Sequence, residues 1–75
     1  MLEQIIKLFE EVLERDPGSV SADDIFRDYE EWDSLAYLSV IAKIDEDFRI
    51  LIPRDEFKMI LTARQLAEYL EDSRE

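Results

Sequence analysis

Residues 32 to 48 read Trp32-Asp33-Ser34-Leu35-Ala36-Tyr37-Leu38-Ser39-Val40-Ile41-Ala42-Lys43-Ile44-Asp45-Glu46-Asp47-Phe48, and this stretch decides the fold. Wound at about 100° per residue, Val40, Ile44, Tyr37, Phe48, Ile41, Leu38, Ala42 and Leu35 cover an arc of roughly 220°. An ordinary surface helix shows a stripe of only ~100°. Ser39, Lys43, Glu46, Ala36 and Asp47 take the remaining side. So wide an arc predicts a central helix from Ser34 to Phe48 that packs on its neighbours and still shows apolar surface to a partner. Asp33 or Ser34 is its N-cap, because each has a short side chain able to accept from a first-turn N–H.

Towards the N-terminus, Leu2, Ile5, Ile6, Phe9, Val12 and Leu13 recur at helical spacing and predict a first helix with one apolar face. Glu3 with Lys7 and Glu11 with Arg15 stand four apart, in the favourable orientation for pairing. Asp16-Pro17-Gly18 is read as its stop. Residues 16 to 33 then form a long connection, rich in acids, with Arg27 as its one base. Val20, Ile25, Phe26, Tyr29 and Trp32 are spaced through it as anchors to the core. Ser21-Ala22-Asp23-Asp24 has the chemistry to cap one short helical turn.

Beyond Phe48, Ile50-Leu51-Ile52 reads as extended, Pro53 opens a short helix through Phe57 and Ile60, and Thr62-Ala63-Arg64-Gln65 is a capping-box pattern for a last helix. There Ala63, Leu66, Ala67 and Leu70 face inward. One Gly and two Pro leave little turn chemistry for sheets. The expected fold is all-α: a small up-down bundle of three main helices plus one short helix, with a long loop after helix one, as a single domain over residues 1–75.

Composition narrows the function. Twenty Asp and Glu oppose nine Lys and Arg, a formal net charge of -11. Such a chain is repelled by nucleic-acid phosphates and by anionic membrane surfaces. With no His and no Cys, it can build neither a Ser-His-Asp triad nor a thiolate nucleophile, and zinc sites lose their usual ligands. No apolar run approaches the ~20 residues that span a bilayer, and Met1-Leu2-Glu3-Gln4 lacks the basic start of a secretory signal. A cytoplasmic monomer that is not an enzyme, has no catalytic residues and binds no metal is the expectation. The loop acids Asp23, Asp24, Asp28, Glu30 and Glu31 show no calcium-loop spacing, and read as a solvated face that steers toward basic partners.

Asp33-Ser34-Leu35 by itself reads as ordinary helix capping. Its context is more specific: the first helix, Asp16-Pro17 to Phe26 to Trp32, then Asp33-Ser34-Leu35, Asp45-Glu46-Asp47-Phe48, Ile52-Pro53, and Thr62 to Leu66. In these landmarks, spread over essentially the whole chain, the sequence resembles the acyl carrier protein family, small carriers that hold acyl groups on phosphopantetheine.

The resemblance implies that Ser34 receives 4'-phosphopantetheine from coenzyme A. Asp33 would cap the helix and assist recognition by a phosphopantetheinyl transferase, or serve as a cap alone. A serine at a helix N-terminus suits an incoming phosphate, but a hydroxyl with no adjacent base needs activation by the transferase. Leu35, Leu38, Ala42, Asp45 and Glu46 match positions that meet partner enzymes with basic docking patches, namely acyl- or aminoacyl-loading and acyl-processing enzymes. For Leu38, simple core packing is the other reading. Ala36 and Ser39 stand where acids are common in the family, and Arg49 where a glycine often follows the Phe. These departures weigh against docking with ordinary fatty-acid synthesis enzymes. Trp32 is similar to carriers of specialised pathways or peptidyl carriers, and also serves as a loop anchor. The expectation is an acyl carrier, with an aminoacyl carrier or an unmodified acidic interaction module as the rivals.

Overall fold

The computed structural model describes residues 1–73. The first apolar stripe winds into α1, Leu2–Val12, with Ile5, Leu8 and Phe9 buried. Its end comes earlier than Asp16-Pro17-Gly18. The Arg15 N–H reaches back to the Glu10 carbonyl at 2.8 Å and the Glu14 N–H to the Glu11 carbonyl at 3.3 Å, which closes the helix in a Schellman turn. Glu14 is left at φ 54°, a left-handed conformation usually given to glycine. Arg15 is thereby turned away from Glu11, and the expected pair is replaced by two others. Arg15 bridges to Glu31 at 2.9 Å and Glu11 meets Lys43 at 3.4 Å. Glu3 and Lys7 form no bridge either.

The connection after α1 is ordered by four of its five expected anchors, while Ile25 is 43 % exposed and does not join the core. Val20 and Phe26 are buried, and Tyr29 and Trp32 pack against the core. The short helical segment lies at Phe26–Asp28 as a 3₁₀ turn, with only a hydrogen-bonded turn from the Asp24 N–H to the Ser21 carbonyl before it. Glu10, 8 % exposed, escapes the cost of burying an unpaired carboxylate by accepting from the Gly18 N–H at 2.7 Å. Gly18, at φ 87°, makes the turn that presents that N–H.

The central helix is α2, Ser34–Phe48, followed by the one-turn α3, Arg54–Phe57, and by α4, Ala63–Ser73. α1 packs against both α2 and α4. Core residues come from every helix: Ile5, Phe9, Val40, Ile44, Phe57, Leu66 and Leu70 are all inaccessible to solvent. Ala36 lies on the buried side of α2, not on the polar side where its place in the arc put it. Its small side chain lets the first turn of α2 sit close to the core. α4 is capped as Thr62 predicts, its Oγ1 accepting from the Gln65 N–H at 3.1 Å. Gln65 Oε1 reaches back one residue further than in a capping box, to the Leu61 N–H at 2.7 Å. The start of α4 is tied to the long loop by Phe26 N–H to the Leu61 carbonyl and Arg64 N–H to the Ala22 carbonyl.

Aromatic rings join the loop, α1, α2 and α3 beneath the start of α2. Phe26 lies 4.7 Å from Phe9, edge-on to Trp32 at 4.8 Å and 5.8 Å from Phe57, and Phe57 stacks on Tyr37 at 5.2 Å. Such pairs add to the burial of their area, so the residues around Ser34 rest on a packed aromatic floor. Among the described residues no helix is long and apolar enough to cross a membrane.

Candidate functional site

α2 begins at Ser34 because Asp33 leaves the helical conformation, at φ -150° and ψ -175°, while its carboxylate accepts from the Ala36 N–H at 2.8 Å. Of the two candidate caps, Asp33 is therefore the cap and Ser34 the first helical residue. The Ser34 and Leu35 N–H groups have no acceptor among the described residues. The Ser34 hydroxyl makes no side-chain hydrogen bond there, and Ser34 is exposed. It is an available hydroxyl with no proton-accepting side chain hydrogen-bonded to it among the described residues.

Ser34 opens onto a cleft of about 320 Å³ between the start of α2 and α3. Trp32, Asp33 and Tyr37 line it on the α2 side, and three bases, Arg27, Arg54 and Lys58, close it. Arg27 is fixed by donating to the Phe57 carbonyl at 2.7 Å and the Ile60 carbonyl at 3.3 Å. Its guanidinium also lies 5.3 and 5.1 Å from the centres of the Phe26 and Phe57 rings. The Arg54 guanidinium stands 5.7 Å from the centre of the Tyr37 ring.

Leu35, Leu38, Ala42, Asp45 and Glu46 are all exposed on α2, at three- and four-residue steps that place them along one side. Leu35 is 72 % and Leu38 60 % exposed, which excludes core packing as the role of Leu38. Ser39 is half-buried on the neighbouring strip.

Of the loop acids, Asp23, Asp24 and Glu31 are each engaged by a different partner. Asp23 accepts from Arg64 at 2.7 and 3.3 Å, and this hydrogen bond holds its carboxyl below the ordinary value of 3.8. Asp24 accepts from the Tyr29 hydroxyl at 2.9 Å, and burial, then that carboxylate, raise the Tyr29 phenol above its usual value. No three acids among the described residues gather closely enough to hold a metal ion.

Reading the sequence did not single out Arg27, Tyr37, Arg54 or Lys58 as site residues. Arg27 and Arg54 lie 27 positions apart, and no local pattern links them; only the docking of α3 beside α2 brings them to Ser34.

Comparison with known families gives a match over residues 3–70, to the family described as the phosphopantetheine attachment site. No curated protein and no solved structure gives a significant match.

Proposed function

The chain belongs to the phosphopantetheine attachment family, and from that membership we propose that it is an acyl carrier whose arm is joined to Ser34. Its family is defined by covalently attached 4'-phosphopantetheine, and its members carry groups without catalysing their reactions. The single observation that supports Ser34 as the attachment point is its exposed hydroxyl at the start of α2, open to the cleft and unengaged by any neighbour. When bound, the arm supplies a terminal thiol on which an acyl group is held as a thioester.

In the attachment step, Ser34 Oγ bonds to the phosphorus that bears the pantetheine of coenzyme A. The pyrophosphate P–O bond breaks, adenosine 3',5'-bisphosphate departs, and the serine proton passes to a base of the transferase. The chain's own contribution is placement: Asp33 holds the first turn, and Tyr37 of α2 stacks on Phe57 beneath it. Leu35 and Leu38 offer apolar contacts beside the attachment point, and Asp45 and Glu46 extend that strip with charge for basic partner surfaces.

Isolation from its native cell and measurement of intact mass, before and after thioester cleavage, tests this reading. It predicts a phosphopantetheine-bearing chain that releases an acyl group. A released amino acid would make it an aminoacyl carrier, and a chain found only unmodified would refute the carrier role.

A further inference from the structure

We infer that the cleft between the start of α2 and α3 is an anion subsite, in which Arg54 and Lys58, beside Arg27, hold the phosphodiester formed at Ser34 and draw the arm's first carbons against Trp32 and Tyr37. The inference rests on the reading of Ser34 as the attachment point, and adds where the arm lies when no partner holds it.

Charge is distributed against the composition here. The chain has twenty acids and nine bases, yet three of the nine line this one cleft, and Asp33 is the one acid among its lining residues. Arg15, Lys43 and Arg64 are engaged by Glu31, Glu11 and Asp23. Arg27, Arg54 and Lys58 have no carboxylate partner among the described residues. In so acidic a chain, three unneutralised cations at one place are a ready counter-charge for an anion.

The helix end alone does not serve that purpose. Asp33 occupies the Ala36 N–H and sets a carboxylate next to Ser34, so a phosphate there meets repulsion before it meets the two remaining N–H groups. Arg54 and Lys58, on α3 and just after it, face this end from across the cleft and offset that carboxylate. Arg27 is already fixed by two carbonyls, so its charge is ordered before any anion arrives. Trp32 and Tyr37 give the cleft its apolar side, suited to the dimethyl carbon that follows the phosphate in the arm.

The test uses the chain after reaction with coenzyme A and a broad-specificity transferase, with intact mass confirming attachment. Phosphorus NMR then compares wild type, the exposed double variant Arg54→Gln/Lys58→Gln, and the charge-keeping pair Arg54→Lys/Lys58→Arg. The wild-type line should be broader than in the urea-unfolded chain. The Gln pair should lose most of that excess width and of the Trp32 indole shift caused by attachment, and the charge-keeping pair should retain both. Equal lines and equal Trp32 shifts in wild type and the Gln pair would overturn the subsite while leaving the carrier intact. A chain that gains no phosphopantetheine mass would overturn both.

Discussion

The Asp33 carboxylate accepts a hydrogen bond from the Ala36 N–H at 2.8 Å, and by doing so fixes the turn on which Ser34 stands. Removing this cap should cost roughly 0.5–2 kcal/mol of stability. Asp33→Ala is expected to fall in that range in urea melts and to slow modification of Ser34 without abolishing it. Asp33→Asn, whose amide oxygen accepts the same bond, should recover most of the stability. Equal stability of Asp33→Ala and wild type would show that the cap is idle.

At the other end of α2, Arg49 is held at φ 60°, donating its N–H to the Asp45 carbonyl. A side chain in this region costs roughly 1–2 kcal/mol, and glycine returns about half of that gain through its freer unfolded chain. Arg49→Gly should therefore be more stable than Arg49→Ala by roughly 0.5–1 kcal/mol. Comparing the two small residues removes the effect of losing the charge. If the Ala variant is the more stable, Arg49 is not strained.

This residue also shows what sequence can and cannot reveal. Neither Arg49 nor Glu14 is a residue type that favours a left-handed cap, and Glu14 ends α1 three residues before the Pro and Gly that looked like the stop; the glycine that often follows the Phe in the resembling family was the one hint, and it concerned position 49 alone. Local hydrogen bonding, set by where the helix meets the core, overrode the usual residue preference at both. The apolar repeats were legible because burial demands them: Ile5, Phe9, Val40, Ile44, Leu66 and Leu70 are in the core as their spacing required. Ser34 and its cap were legible as a short local motif. The cations of the cleft were not, because Arg27, Arg54 and Lys58 become neighbours only through tertiary packing. Glu10 reads as one more solvated acid until Gly18 folds back onto it.

Repulsion within a chain of net charge -11 should make its stability depend on salt. The three exposed or partly exposed bridges are weakened by screening, but each such pair is worth only about 0–1 kcal/mol. Relief of the long-range repulsion should win, so the melting temperature should rise from low to moderate salt with sodium and potassium alike. A flat or falling melting temperature would count against this.

Asp23 and Arg64 join the long loop to α4, and the pair should carry a pH signature. Because the Asp23 pKa is lowered on folding, its contribution is present above the unfolded value of 3.8 and is lost as pH falls through the lower folded value. The stability difference between wild type and Asp23→Asn should hold steady near neutral pH and shrink to nothing in acid. A difference that persists unchanged into strong acid would mean that charge on Asp23 is not what stabilises the junction.

The central claim is that Ser34 is a chemical site as well as the first residue of a helix. Wild type and Ser34→Ala, each treated with coenzyme A and a broad-specificity transferase, are compared by intact mass with fragment localisation. Wild type should gain a single phosphopantetheine on Ser34, and Ser34→Ala should gain none while melting close to wild type, because Asp33 still caps α2. Modification of Ser34→Ala, or wild type left unmodified, would contradict the account.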